Sequence, residues 1–194
     1  MDKYKNKYRI LSTRLQNWDY RWSGAYFITV CTQNREYYFG EITNGKMQWS
    51  HVGIIADILW HQIPHHHLNV ELGAFVVMPN HVHGILIINN TDNVGNVETG
   101  HALSLQSERQ TEQSERQTIG QQRFQNIGTN SISSMVGSYK SAVTKHANRL
   151  GFEFKWQSSF HEHIIRDDKS FQTISDYIEN NPVHWEKDKF FNPK

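Results

Sequence analysis

The stretch Ala74-Phe-Val-Val-Met-Pro-Asn-His-Val-His-Gly-Ile-Leu-Ile-Ile88 holds two apolar runs joined at Pro79-Asn80. It predicts two strands, Glu71 to Met78 and Val82 to Ile88. Their near-continuous apolar character requires cover on both faces of a sheet. His81 and His83 stand two residues apart, so on a strand they point to the same side, and Val82 points to the other. Two imidazole nitrogens on so rigid a support suit a divalent metal. One such histidine alone reads as a satisfied core residue; the spaced pair reads as a site.

Working outward, Tyr26 to Cys31 is rich in β-branched and aromatic residues and predicts a strand. Tyr37 to Ile42 and Lys46 to Ser50 flank Asn44-Gly45, a hairpin signal. Val52 to Ile63 carries Ile54, Ile55, Ile58 and Leu59 near helical spacing and predicts a helix ending before Pro64. His65-His66-His67 then reads as a polar loop, because adjacent side chains diverge on any regular element. Ser131 to Leu150 places Ile132, Met135, Val136, Tyr139, Val143 and Leu150 at helical spacing, with Gly151 as its stop. Phe160 to Ile165 predicts a short strand. Ser170 is the expected N-cap of a last helix, Phe171 to Asn181, closed by Pro182. The order resembles βαββαβ, so the expected class is α+β. It is a ferredoxin-like core whose antiparallel sheet has helices packed mainly on one face.

The 194 residues suffice for a single domain, 1–194, with one insertion. From about 90 to 129 the composition turns to Asn, Thr, Gly, Ser, Gln and Glu, and Gln106-Ser-Glu-Arg-Gln-Thr recurs at Gln113. Such a segment cannot bury a core and is expected to be a mobile insertion. Apolar runs fall short of the roughly 20 residues that cross a membrane, and the N-terminus lacks the apolar stretch of a secretory signal. Cys31 is the only cysteine, which favours a reducing compartment. Net charge is +1, yet Met1 to Trp22 carries six basic residues, Arg21 among them, against two acidic ones. Lys140, Lys145 and Arg149 form a second basic stretch. Local patches of this kind can follow phosphates, as can an ordinary solvated face.

Near the C-terminus stands Asp176-Tyr177-Ile178-Glu179-Asn180-Asn181-Pro182. Tyr177 and Asn181 are four apart and share a helix face. Phe171, Ile174 and Ile178 define the buried stripe, which places Tyr177 and Asn181 at its rim. From there a phenol can meet histidines projecting from the sheet and stay accessible.

Three motifs together resemble the HUH single-tyrosine transposases, particularly the REP-associated tyrosine transposases of bacteria. They are Met78-Pro-Asn-His-Val-His-Gly84; Trp156-Gln157 with Phe160-His-Glu-His-Ile-Ile-Arg166; and Asp176-Tyr-Ile-Glu-Asn-Asn-Pro182. The likeness covers about Tyr26 to Trp185, apart from the insertion. It implies metal-dependent transesterification of single-stranded or hairpin DNA by a bacterial cytoplasmic, nucleoid-associated enzyme. Tyr177 would attack the scissile phosphate, keep a 5′-phosphotyrosine link and release a free 3′-hydroxyl. His81, His83 and Asn181 would hold one cation, Mg²⁺ or Mn²⁺; ligand chemistry alone also admits zinc. A free phenol, with a pKa of about 10, is scarcely ionised at neutral pH, and a nearby cation favours its phenolate.

Other residues carry weaker expectations. His163 or Glu162 could support the site, and Arg166 could contact phosphate. Lys140, Lys145, Arg149 and Arg21 could contact the DNA backbone. Tyr139 is a second tyrosine, expected to be buried on its stripe. Trp22, Trp156 and Trp185 could stack on bases, although packing is their simpler use. The family includes dimers with shared sites as well as monomers, which leaves open a homodimer and whose tyrosine serves which histidines. The alternatives in function are a non-catalytic hairpin-binding module, a rolling-circle initiator or relaxase, and a hydrolytic metalloenzyme.

Overall fold

The computed structural model describes residues 22–67, 69–89 and 131–191, with the backbone of 3–4 and 7–8, which pair as a separate two-stranded ladder. The expected insertion at 90–129 and Arg21 lie outside the described residues. In chain order the elements are β1 (Gly24–Cys31), β2 (Gly40–Thr43), β3 (Lys46–Trp49), α1 (His51–His61) and the short α2 (Ile63–His66). Then follow β4 (Val70–Met78), β5 (His81–Ile88), α3 (Ile132–Arg149), β6 (His161–Ile165) and α4 (Asp168–Asn180). The main sheet runs β4-β5-β1-β6, every neighbour antiparallel. Setting the β2–β3 hairpin aside, the βαββαβ order of the ferredoxin-like class is present.

Strand alternation divides the interior into two layers. Tyr26, Ile28, Val30, Val82, Leu86 and Ile164 pack with α1 and α3 in the larger core. Phe27, Ile85, Ile87 and Ile165 pack with Phe171, Ile174 and Ile178 of α4 on the reverse face. Helices therefore lie mainly on one face, with α4 alone on the other. This answers the apolar run of β5, whose His81 to Leu86 are all buried. His81 and His83 belong to the α4 face.

Local chemistry sets the boundaries. Asn44 (φ 53°) and Gly45 (φ 70°) make the tight turn of the hairpin. Ser50 caps α1 by accepting the Gly53 N–H, and Ser131 caps α3 in a reciprocal capping box with Ser134. The expected cap of the last helix is corrected. Asp167, not Ser170, is the N-cap; its carboxylate accepts both the N–H (2.8 Å) and the hydroxyl (2.9 Å) of Ser170. The His65-His66-His67 loop is also corrected in part. Pro64 sits in the first turn of α2, where a missing N–H costs nothing, so the chain takes one more helical turn through His66.

Gly84 shows why the histidine motif ends in glycine. A Cβ there would lie 2.3 Å from the Trp60 ring. Trp60 is fully buried, stacked on Phe75 at 4.7 Å and edge-on to Tyr139 at 5.2 Å. The absent side chain lets α1 close on the strand that carries the histidines. Gly84→Ala is therefore expected to lower stability by roughly 1–3 kcal/mol through overpacking, read as a lower urea midpoint with a changed Trp60 emission.

Candidate metal and tyrosine site

Each histidine is held through Nδ1 and leaves Nε2 pointing into the site. His81 Nδ1–H donates to Asn80 Oδ1 at 2.9 Å. The amide of Asn80 is oriented by its own NH₂, which donates to the Phe190 carbonyl at 2.9 Å and to the Arg35 carbonyl at 3.3 Å. The proton of His81 is thereby fixed on Nδ1 and the lone pair on Nε2. His83 Nδ1 lies 2.9 Å from the Thr29 hydroxyl, its register partner on β1. The rings are 4.4 Å apart, and both are essentially solvent-free.

Tyr177 approaches from α4. Its hydroxyl is 3.3 Å from His83 Nε2 and donates to Asp188 Oδ2 at 2.9 Å. The ring packs edge-on to Phe27 at 6.3 Å, yet the residue stays 40% exposed. Asn181 is the C-cap of α4 and is 2% exposed. Its Nδ2 donates to Asp188 Oδ2 at 2.9 Å, which turns its Oδ1 away from the carboxylate. The rim position expected for Tyr177 and Asn181 is what the helix presents. Tyrosine and histidines meet within one chain.

Asp188 is the site residue that sequence reasoning missed. It follows the short 3-10 turn Trp185–Lys187 and gathers Tyr177, Asn181 and, through Oδ1, the Phe190 N–H at 2.7 Å. No periodicity marks it; an acidic residue shortly after the Tyr177-Asn181 motif was the only signal. Asn80 was missed in role although quoted in the motif. Phe190 closes the far side, its ring 4.5 Å from that of His81.

The donor set fits a divalent cation. One nitrogen of His81, one of His83 and one Asp188 oxygen lie within 4.8 Å of one another. Two buried acceptors nearby, His81 Nε2 and Asn181 Oδ1, have no hydrogen-bond partner. A buried acceptor without a partner is costly, and a cation satisfies it. Imidazole nitrogens with carboxylate and amide oxygens make a borderline-to-hard set.

Electrostatics agree with neutral imidazoles. Burial holds His81 well below the ordinary histidine value, helped by His83, Arg35 and Lys189. Burial lowers His83 to about 3, against an opposing pull from Asp188. The phenol of Tyr177 is pushed above its ordinary value, first by burial and then by the charge and hydrogen bond of Asp188.

The remaining candidates are scattered. His163 pairs with Phe27 and shares the histidine face, exposed at the sheet edge. Glu162 pairs with Ile28, so alternation turns it to the α1–α3 side; its expected supporting role is corrected on that ground. Arg166 is exposed just past β6. Lys145 and Arg149 are exposed on α3, across the sheet from the histidines. Lys140 donates to the Gln157 and Ser158 carbonyls (2.6 and 3.1 Å). Tyr139 is buried and donates to the Ala56 carbonyl at 3.0 Å. Trp156 and Trp185 pack in the structure, and Trp22 is 49% exposed. Among the described residues no helix is long and apolar enough to cross a membrane.

His83 gives a pH dependence with a defined sign. Its folded value near 3 lies below the 6.5 of an ordinary histidine. Below 6.5 the unfolded chain takes up a proton that the folded chain refuses. The stability is complete above 6.5 and is lost as pH falls toward about 3. In the metal-free protein the unfolding free energy from urea titration is expected to drop across this window, by up to about 1.4 kcal/mol per pH unit. His83→Gln should flatten the slope.

No family model matches the chain. Its fold is similar to the solved structure of the REP-associated tyrosine transposase bound to a REP hairpin. The TM-score is 0.55 and the identity 19%, covering 92% of this chain and 77% of that one. At that identity the likeness speaks for the fold. In sequence, an uncharacterized protein of Haemophilus influenzae is 37% identical over 182 residues, 93% of this chain and 92% of the relative. By that identity over nearly the whole of both chains, the protein belongs to the same family as its Haemophilus influenzae relative.

Proposed function

We propose that the protein is a metal-dependent single-strand DNA transposase or endonuclease that cuts beside a DNA hairpin. The observation that carries this reading is the Tyr177 hydroxyl 3.3 Å from His83 Nε2, beside the unpartnered His81 Nε2 and Asn181 Oδ1. A nucleophile half open to solvent thus adjoins a dry, cation-fitting pocket. The shared fold with a hairpin-bound transposase supports the DNA substrate.

In this reading Tyr177 Oη attacks the scissile phosphorus. The new P–O bond is the 5′-phosphotyrosine link, and the broken bond is that to the 3′-oxygen, which leaves as a 3′-hydroxyl. The covalent link preserves the phosphodiester's free energy, so the reaction can reverse onto another 3′-end. Asp188 Oδ2 already accepts the phenol hydrogen and is the acceptor in place for that proton. Asn80 and Thr29 keep the two Nε2 atoms turned inward. His81, His83 and Asn181, with Asp188 in reach, would hold Mg²⁺ or Mn²⁺. Such an ion supplies positive charge that favours the phenolate and the phosphate's developing charge.

Incubated with single-stranded hairpin DNA and Mn²⁺, the wild-type chain is expected to yield a denaturation-resistant protein–DNA adduct. Tyr177→Phe should lower the yield by on the order of 10³ or more while binding the DNA normally. Chelation should stop adduct formation and leave binding. An adduct formed equally by Tyr177→Phe would remove Tyr177 as nucleophile.

Because Tyr177 meets His83 of its own chain, mixing His81→Ala with Tyr177→Phe should recover no cleavage. Recovery would show that the active form exchanges tyrosine helices between two subunits.

A further inference from the structure

We propose that the cleft between the β2–β3 hairpin and the C-terminal segment binds an unpaired nucleobase of the DNA strand. The proposal rests on the reading of the chain as a single-strand DNA enzyme and names how it grips its substrate. The cleft has a volume of about 660 Å³, ample for a nucleotide. It is formed where the hairpin tip meets the C-terminal segment: a Cβ on Gly45 would touch the Val183 backbone at 3.5 Å.

The lining has the chemistry of a base site. Tyr37, Trp185 and Phe191 form an aromatic wall, with Tyr37 and Phe191 at 5.8 and 5.5 Å from the Trp185 ring. Flat rings with hydrophilic edges stack on such walls whatever their sequence. Glu41 and Glu186 stand on the rim. Two carboxylates repel phosphate and accept hydrogen bonds from exocyclic amines, so adenine, cytosine and guanine suit the cleft better than thymine.

The cleft also borders the tyrosine site. His184 and Lys187 line both it and a second cavity of about 340 Å³ that contains Tyr177, Asn181 and Asp188. Trp185, packed at 5% exposure, backs the cleft lining, and its ring lies 5.9 Å from the ring of His81. A strand whose phosphate rests at Tyr177 therefore passes His184 and the Lys187 ammonium and delivers a neighbouring base to the aromatic wall.

The test uses the full chain and short single-stranded oligonucleotides. An oligonucleotide carrying iododeoxycytidine should photocrosslink to Tyr37, Trp185 or Phe191, mapped by mass spectrometry. Tyr37→Leu keeps an apolar side chain without the ring and should weaken oligonucleotide binding about tenfold. Tyr37→Trp should restore it. Both variants are checked for an unchanged melting curve, and Phe191→Leu serves as the second probe should Tyr37→Leu misfold. Crosslinks elsewhere, with both leucine variants binding as wild type, overturn the cleft and leave the enzyme reading intact. Ring-dependent binding without any covalent adduct overturns the enzyme reading and keeps the cleft. A wild-type chain that binds no single-stranded DNA overturns both.

Discussion

One constraint organises the molecule: β5 is buried on both faces, and its side chains alternate between two unlike layers. One layer is oily and sealed, built by α1 and α3 around Trp60. The other begins oily at Ile85 and Ile87 and turns polar at His83 and His81. Period-two geometry allows no mixing, so the histidines cannot leave their face without every apolar neighbour changing sides. The rigidity of the site is thus borrowed from the packing behind it. Gly84 is the clearest case, since it faces Trp60 yet sets how near the site strand can approach α1.

The second organising fact is that the polar layer is satisfied from outside the strand. Asn80 orients His81, Thr29 engages His83, and the Asp188 carboxylate joins Tyr177 to Asn181. These contacts bring together β1, β5, α4 and the segment after α4. The desolvation that makes the imidazoles poor bases also makes unpartnered acceptors expensive, and the same burial creates both properties. A site of this kind favours neutral ligands and an incoming cation over free protons.

The sequence was legible where a pattern is local and periodic. The two-residue spacing of His81 and His83, the four-residue spacing of Tyr177 and Asn181, and the stripe of Phe171, Ile174 and Ile178 each place a side chain from a short window. The hairpin at Asn44-Gly45 is of the same sort. What escaped was non-local. The face taken by Glu162 follows from pairing with Ile28, far away in sequence. Asp188 sits after an irregular turn, where no period exists to read. The Lys140 hydrogen bonds go to backbone carbonyls, which carry no signature in the residue types of Gln157 and Ser158.

The hydrogen bond from Asn80 to the Phe190 carbonyl spans 110 residues. On the ribosome, the two histidines therefore emerge long before the residues that close over them. The sheet strands β1, β4 and β5 can pair while the chain is still being made, yet His81 stays open on one side until residue 190 has cleared the exit tunnel. Completion of the site therefore waits on the segment after α4, so a chain stalled before Asp188 carries the sheet without the finished centre.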